Sequence, residues 1–286
     1  MLLEVLDEDL LRTVRAALDE DIGSGDITAD LIPREQTASA TVICRETAVV
    51  CGQAWFNAVF AELDSRISII WLVRDGDTVR DNESLCTLSG PARAILSGER
   101  TALNFLQTLS ATATHARRHA ETIADLPTRI LDTRKTLPGL RRAQKYAIRV
   151  GGCENHRTGL YDGILIKENH IAAAGSISKA IMNAGIATPD VMIEVEVEND
   201  KQIQQALTAG AGRLLLDNFS LPALTAAVQA VAGRAELEAS GGITLENLRE
   251  TARTGVDFIS IGALTKDIHA VDLSMTFDIQ GESSPG

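Results

Sequence analysis

The pattern of apolar and polar positions divides the 286-residue chain into a mixed first part and a regularly alternating second part. In the first part, apolar residues at helical spacing predict a helix over residues 3–18, and alternation rich in β-branched residues predicts two short strands within 37–51. The further predicted elements are helices at 52–63 and 91–109 and strands at 67–73 and 84–88. We therefore predict an N-terminal α+β sandwich domain over residues 1–110.

In the second part, a helix is predicted over 111–123, and short apolar runs then alternate with helical stretches. The predicted strands lie at 129–133, 163–167, 191–198, 213–218, 236–240 and 258–262, and the helices between the later strands at 177–184, 201–208, 221–232 and 245–254. Right-handed crossovers between parallel strands close into a barrel, which is complete with eight strands. Six strands predict an incomplete parallel (β/α) barrel domain over residues 111–280, with an open doubly wound sheet as the alternative. Residues 281–286 are predicted to be a disordered tail.

Composition narrows the class of protein. The net charge of -12 and the 3% of aromatic residues argue against nucleic-acid binding. The four cysteines lack the spacing of a zinc site. The N-terminus has no signal-peptide pattern, and no apolar run approaches the ~20 residues that a membrane helix needs. These features predict a cytoplasmic protein that binds neither nucleic acid nor membranes.

A cationic segment stands out in this acidic chain. From Arg129 to Arg157 there are eight Lys or Arg residues against two acids, Asp132 and Glu154. A solvated helix face is the simplest interpretation of four of them: Arg141, Arg142, Lys145 and Arg149. Four other cations lie at predicted strand ends or beside glycines and indicate an anion site: Arg134, Lys135, Arg157 and Lys167.

The carboxyl ends of parallel barrel strands meet on one face, where function is usually found. The residues at the predicted ends are Thr133, Arg134 and Lys135; Lys167; Glu194, Glu196 and Glu198, which alternate onto one face; Asp217 and Asn218; Ser240, Gly241 and Gly242; and Ile261, Gly262 and Ala263. The two glycine-rich ends are typical of phosphate sites, although 240–242 taken alone could be a plain βα turn.

Acids and cations at one rim suggest a metal ion between phosphates. Glu196 and Asp217 offer the hard oxygen ligands that Mg²⁺ prefers. The alternative for the three glutamates of this strand is an internal salt bridge to Lys167 or Arg134. We expect His170 to be structural, whereas His156 is either structural or a substrate ligand.

Several motifs occur together in a specific order. They are EDIGSGDIT at 20–28, DTRKT at 132–136, QKYA at 144–147, HRTGLYD at 156–162, LIKENHI at 165–171 and SIGALT at 260–265. In this combination, the chain resembles the quinolinate phosphoribosyltransferases, also called carboxylating nicotinate-nucleotide diphosphorylases.

The resemblance implies phosphoribosyl transfer from 5-phosphoribosyl 1-diphosphate to quinolinate, with loss of carbon dioxide, in de novo NAD biosynthesis. The residues implied to bind the dicarboxylate are Arg134, His156, Arg157 and Lys167. Lys135 is implied to lie near the diphosphate, and Arg100 to enter the site from the neighbouring subunit of a homodimer. We assign catalytic roles to Lys135, Glu196 and Asp217. The pyridine nitrogen is itself the nucleophile, so the reaction requires no Ser/His/Asp triad.

Three other functions remain possible. A molybdenum-associated paralogue of the same family shares the DTRKT motif and the barrel. A barrel enzyme acting on another sugar phosphate, such as a decarboxylase or an aldolase, would need a Schiff-base lysine or a lone acid–base pair, and the many arginines fit it poorly. A protein that only binds metabolites would bind phosphoribosyl diphosphate without releasing diphosphate.

Overall fold

The computed structural model of the chain describes residues 4–188 and 191–279. It divides into two compact units. The first contains the chain up to His115, Leu137–Gly151 and the chain from Ile268 onward, and the second contains Ala116–Thr136 and Gly152–Asp267. The predicted tail at 281–286 lies outside the described residues.

Within those residues, helices and strands occur in the following order. The helices are α1 (Glu4–Ile22), α2 (Gln53–Leu63), α3 (Ala92–Thr122), α4 (Arg141–Val150), α5 (Glu168–Ala174), α6 (Ile177–Ala187), α7 (Asp200–Thr208), α8 (Leu221–Val231), α9 (Leu245–Ala252) and α10 (Ala263–Lys266), with a short 3-10 helix at Ala29–Leu31. The strands are β1 (Thr37–Cys44), β2 (Ala48–Val49), β3 (Ser68–Trp71), β4 (Thr78–Val79), β5 (Glu83–Pro91), β6 (Arg129–Leu131), β7 (Ile164–Ile166), β8 (Ile193–Val197), β9 (Arg213–Asp217), β10 (Glu236–Ser240), β11 (Phe258–Ser260) and β12 (Leu273–Ile279).

The first unit contains an antiparallel sheet with the strand order β12-β1-β5-β3. Alternate residues of β1 are buried, as its period-two pattern predicts, and they lie in one core with Phe56 and Phe60 of α2. The last strand of the sheet was not predicted from the sequence. Residues 273–279 were assigned to the barrel domain, but they form β12, which pairs with β1 from Ala38 to Cys44.

Helix α3 corrects the prediction of two separate helices at 91–109 and 111–123. It is continuous because residues 92–122 contain no proline and because Ser110 does not act as a local cap. The Ser110 hydroxyl instead accepts a hydrogen bond from the N–H of Cys51 at 3.0 Å. The hydroxyl of Thr114 donates to the carbonyl of Ser110 one turn earlier, which is compatible with helical geometry.

Helix α4 belongs to the first unit and only in part has the solvated face predicted for it. Arg149 is exposed, but Lys145 has only 4% of its surface exposed. Gln144 is fully buried, and its side-chain oxygen accepts the N–H of Leu137 at 2.8 Å. For Lys145 the interpretation as a surface charge is therefore wrong.

The second unit is a parallel sheet with the strand order β6-β11-β10-β9-β8-β7. This is the cyclic order of a barrel, opened between β6 and β7, so the predicted fold class is confirmed. An open doubly wound sheet would reverse its strand order at a switch point, and this sheet does not, so that alternative is wrong. At the open edge, the backbone of Leu131 forms an isolated parallel bridge with Glu154.

The registers bring the carboxyl ends of the strands to one edge of this sheet. Asp217 at the end of β9 pairs with Ser240 at the end of β10, and Ser260 pairs with Leu131. The loops that follow these residues contain most of the side chains predicted to be functional. The sheet therefore positions the candidate site.

Candidate functional site

Lys135 is held at the carboxyl edge by the loop that follows β6. The hydroxyl of Thr133 accepts the N–H of Lys135 at 3.1 Å, and the hydroxyl of Thr265 donates to the carbonyl of Lys135 at 2.8 Å. The Lys135 side chain passes over Gly262, where an added Cβ would lie 2.9 Å from its Cδ. Gly262 therefore leaves room for the Lys135 side chain beside the turn after β11.

The neighbouring glycine-rich turn follows β10. Gly241 has a φ of +98°, and an added Cβ would lie 2.2 Å from the side-chain oxygen of Asn218. The N–H of Asn218 donates to the carbonyl of Ser240 at 2.9 Å, and its amide donates to Asp217 at 2.8 Å. The contacts of Asn218 thus bring Asp217 and the 240–242 turn together, as predicted from the strand ends.

Lys167 and Glu196 form an ion pair at the same edge. Lys167 is exposed and Glu196 is half-buried. For Glu196, the structure therefore contains the internal salt bridge to Lys167 that was given as the alternative to metal binding. For Glu198 the predicted pairing with Lys167 or Arg134 is not observed among the described residues, since Glu198 lies just beyond β8, is exposed and donates its N–H to Gln202. The expectation that all three glutamates share one strand face stays a prediction for Glu198.

The guanidinium groups of Arg134 and Arg157 lie close enough for their charges to interact. Burial and the nearby charge of Arg134 lower the pKa of Arg157. The guanidinium of Arg157 donates to the carbonyl of Gly163 at 2.9 Å. The charges of Glu194 and Asp162 act on the pKa of Arg157 in the opposite direction, so carboxylates of the chain offset part of this repulsion. A bound anion between the two guanidiniums would offset it further.

His156 lies directly before Arg157 and is nearly buried, with 8% of its side chain exposed. Its Nδ1 accepts the N–H of Arg157 at 2.7 Å, so a neutral ring carries its proton on Nε2. Nε2 lies 2.9 Å from the Glu194 carboxylate and donates to it. These contacts favour the structural interpretation of His156, and its direct contact with a substrate stays a prediction.

Two buried acids that support this segment were not predicted as functional. The fully buried carboxylate of Asp132 accepts the N–H of His156 and the side-chain amide of Asn155, each at 2.8 Å. Glu238 of β10 is also fully buried, and its carboxylate lies 3.6 Å from Nε2 of His156. A signal was available for Glu238, since a glutamate in the middle of the apolar run 236–240 is costly unless it is partnered.

Burial and the charge of Glu194 raise the pKa of Glu238 to about 8. One ligand atom from each of His156, Glu194 and Glu238 lies within 4.8 Å of the other two. The raised pKa favours the protonated form of the Glu238 carboxyl at neutral pH.

The remaining predicted residues have distinct surroundings. His170 has a structural role, as expected, because its Nδ1 accepts the N–H of Lys167 at 3.0 Å at the start of α5. Ile261 is buried and donates its N–H to the carbonyl of Leu131 at 3.0 Å, and Ala263 begins α10. Arg100 is exposed on α3 in the first unit.

A six-stranded parallel sheet with cations, carboxylates and glycine turns at its carboxyl edge defines a class of phosphate-binding barrel enzymes. Sequence models of two domains identify the family. "Quinolinate phosphoribosyl transferase, N-terminal domain" matches residues 26–110, and the corresponding C-terminal domain matches residues 112–276. The chain belongs to the quinolinate phosphoribosyltransferase family, and the resemblance predicted from its motifs is confirmed.

Individual proteins agree with this assignment. The chain is 43% identical over 265 residues to a probable carboxylating nicotinate-nucleotide pyrophosphorylase of Bacillus subtilis, covering 92% of each chain. It is 36% identical to a mitochondrial decarboxylating quinolinate phosphoribosyltransferase of Nicotiana tabacum, covering 95% of this chain and 83% of the relative. The solved nicotinate-nucleotide pyrophosphorylase of Francisella tularensis is 46% identical, covers 96% of each chain and superposes with a TM-score of 0.91.

Among the described residues, no helix is both long enough and apolar enough to cross a bilayer. The cytoplasmic location and the absence of nucleic-acid binding stay predictions.

Proposed function

We propose that the chain is a carboxylating nicotinate-nucleotide pyrophosphorylase of de novo NAD biosynthesis. It transfers the phosphoribosyl group of 5-phosphoribosyl 1-diphosphate to quinolinate and forms nicotinate mononucleotide, diphosphate and carbon dioxide. The observation that supports this substrate best is the electrostatic interaction of the Arg134 and Arg157 guanidiniums, with Lys167 at the carboxyl edge of the same sheet. Two carboxylates on one pyridine ring suit this concentration of cations.

The donor substrate would occupy the glycine-rich side of the edge. The turn at 240–242 and the turn at 261–263 suit a monophosphate, because small residues expose backbone N–H groups. We assign the binding of the departing diphosphate to Lys135, whose side chain lies over Gly262. Thr133, which orients the backbone of Lys135, completes this side of the proposed site.

The reaction needs little covalent help from the protein. The pyridine nitrogen attacks the ribose C1 as the bond to diphosphate breaks, and the oxocarbenium-like transition state is stabilised by a nearby carboxylate, which we assign to Glu196. The ring nitrogen is then quaternary, so the 2-carboxylate can leave as carbon dioxide with its bonding electrons remaining on C2. A proton taken up at C2 completes nicotinate mononucleotide. Positioning of the two substrates accounts for most of the rate enhancement.

The donor set also fits Mg²⁺. Asp217 presents its carboxylate at the end of β9, and Glu196 becomes available to a cation once a substrate carboxylate takes over Lys167. When bound, Mg²⁺ would neutralise charge on the departing diphosphate. Asp217 and Glu196 are therefore proposed as metal ligands, besides their catalytic assignment with Lys135.

The test is a product assay with Mg²⁺, 5-phosphoribosyl 1-diphosphate and either quinolinate or nicotinate. We expect quinolinate labelled in its 2-carboxylate to release labelled carbon dioxide in step with nicotinate mononucleotide. Turnover of nicotinate but not quinolinate would overturn the assignment. Binding of phosphoribosyl diphosphate without release of diphosphate would instead identify a metabolite-binding protein, and inactivity with both pyridines would favour the molybdenum-associated paralogue.

We further propose that the enzyme is a homodimer and that Arg100 completes the site of the partner subunit. The test mixes two inactive variants, Arg100→Ala and Lys135→Ala, under conditions that exchange subunits. If Arg100 acts across the interface, each mixed dimer regains one intact site, and random mixing restores roughly a quarter of wild-type activity. If Arg100 acts within its own chain, mixing restores nothing.

A further inference from the structure

A buried acidic group lies beneath the proposed dicarboxylate site, inside the parallel sheet. Glu194 of β8 and Glu238 of β10 are each 0% exposed. One oxygen of Glu194 and both oxygens of Glu238 make no hydrogen bond with any described residue. Buried carboxylate oxygens without a hydrogen bond lower the stability of a fold, so we expect Glu194 and Glu238 to have a function.

A chain of contacts connects these acids to the anion site. Glu194 accepts the Nε2 proton of His156, and the opposite ring nitrogen accepts the backbone N–H of Arg157. Arg157 is one of the two guanidiniums that we assign to the dicarboxylate, and the charge of Glu194 also acts on it. The orientation of the His156 ring therefore helps to fix the position of the Arg157 backbone, because the ring accepts the Arg157 N–H.

We propose that Glu238 is a positioning residue, which holds Glu194, and through it His156 and Arg157, in the geometry that binds the dicarboxylate. The proposal rests on the proposed function and deepens it.

The physical basis is the arrangement of the three side chains. Nε2 of His156 lies 2.9 Å from Glu194 and 3.6 Å from Glu238, and one ligand atom of each residue lies within 4.8 Å of the other two. The Glu238 carboxyl group therefore occupies the space beside Glu194 and limits the positions that the Glu194 side chain can take. Glu194 in turn accepts the Nε2 proton, which leaves Nδ1 as the acceptor for the N–H of Arg157. A ring with protons on both nitrogens would lose this bond.

Alternatively, a cation bound by His156, Glu194 and Glu238 would give the unpartnered carboxyl oxygens a partner. The two arrangements respond differently to substitution, because glutamine replaces a protonated carboxyl well and is a poor ligand in place of a carboxylate. The test therefore compares Glu238→Met, which keeps the volume but removes the oxygens, with Glu238→Gln. Glu236→Met on the same strand is the matched control, since Glu236 lies at the opposite strand end.

Steady-state kinetics give the first measurement. We expect Glu238→Met to raise the KM for quinolinate about ten-fold, because displacement of a binding group by a fraction of an ångström is costly. The KM for phosphoribosyl diphosphate and the melting temperature should change little, since an apolar side chain of similar volume is well accommodated. Glu238→Gln should return the KM toward the wild-type value.

Histidine ¹⁵N NMR on the free protein gives a second measurement that does not depend on activity. The signal of His156, assigned with a His156→Gln variant, should show the neutral Nε2–H form in the wild type and in Glu238→Gln. In Glu238→Met it should shift or broaden, while Glu236→Met leaves it unchanged.

Several results would overturn the proposal. An unchanged KM and an unchanged His156 signal in Glu238→Met would remove Glu238 from any positioning role. An equal loss in both KM values and in kcat, with a lower melting temperature, would show a merely structural one. About one equivalent of Mn²⁺ or Zn²⁺ bound by the dialysed wild type, and lost in both Glu238 variants, would identify a metal site instead. If the wild type does not turn over quinolinate while the NMR signals respond as expected, the proposed function is wrong and the support of His156 by Glu238 stands.

Discussion

Both ends of the parallel sheet contain charged residues, but the charged side chains have different partners at the two ends. At the amino ends of the strands, Arg213 pairs with Glu236 at 2.7 Å, and the guanidiniums of Arg129 and Arg213 lie 4.2 and 3.9 Å from the centre of the buried Phe258 ring. Arg129 also lies 3.5 Å from Glu154. Arg129 and Arg213 therefore each have partners at this end of the sheet.

At the carboxyl ends, charges of the same sign also lie near one another. Lys167 pairs with Glu196, but Arg134 lowers the pKa of Arg157, and Lys135 forms no ion pair with a carboxylate of the described residues. Paired charges stabilise a fold, whereas like charges held near one another favour binding of an anion. We therefore expect the amino end to contribute mainly to stability and the carboxyl end to binding, and the predictions below test that division.

The largest effect is expected from Lys135→Ala and Glu196→Ala. Each removes a charge that acts on the diphosphate or the transition state, so kcat should fall about 100-fold or more with the fold intact. Turnover and the melting temperature are measured together, with the exposed Lys201→Ala as the control. Wild-type turnover in either variant would remove that residue from the site.

A smaller effect is expected from Arg134→Lys, which keeps the charge but loses the planar fork of donors. The KM for quinolinate should rise about ten-fold, whereas the KM for phosphoribosyl diphosphate should stay near its wild-type value. Arg253→Lys, at the exposed residue that follows α9, is the matched control. Equal changes in both KM values would argue against the separation of the two substrates along this edge.

Because the Glu238 carboxyl is buried, the stability of the protein should also depend on pH. The pKa of Glu238 is about 8 in the folded chain, raised by burial and by Glu194, and is ordinary when the chain is unfolded. The folded state therefore holds a proton that the unfolded state loses between about pH 4.5 and 8, so this contribution is present below that window and is lost as the pH rises through it.

We accordingly expect the melting temperature of Glu238→Gln, relative to the wild type, to increase from pH 5 to pH 8, because glutamine stays neutral. Thermal unfolding at closely spaced pH values checks this. A constant difference across the window would show that Glu238 is already ionised in the folded chain at low pH.

The smallest effect is expected at the amino end. Arg213→Met retains apolar contact with Phe258 but loses the cation–π interaction and the pair with Glu236, so the free energy of unfolding should fall by about 1 kcal/mol. Denaturant unfolding measures this, and kcat should remain at the wild-type value. A loss of turnover without a loss of stability would contradict the assignment of this end to stability.

Local pattern predicted those features of the fold that depend on neighbouring residues. The six strands of the second unit were found because each is an apolar run bounded by turn residues. The prediction of a break between two helices near Ser110 was wrong, because the Ser110 hydroxyl accepts a hydrogen bond from the distant Cys51 instead of capping a helix. Strand β12 was missed because its partner, β1, lies more than 220 residues earlier in the chain.

The candidate site divides in the same way. Residues at strand ends, such as Lys135 and Asp217, could be predicted because parallel strands place all their carboxyl ends at one edge. Glu238 was missed because it lies in mid-strand, where its function depends on neighbours from β8 and from the segment after α4. Lys145 was misjudged because helical spacing does not show which face of a helix another element covers.

The sequence by itself determined the strand and helix periods, the charge at the strand ends and the motifs of the family, because each is set by residues close together in the chain. Tertiary structure alone decided which polar groups pair with one another: Glu196 with Lys167, Glu236 with Arg213, and Glu194 with His156. Such pairing depends on distances and burial between separate strands, and no local pattern records them.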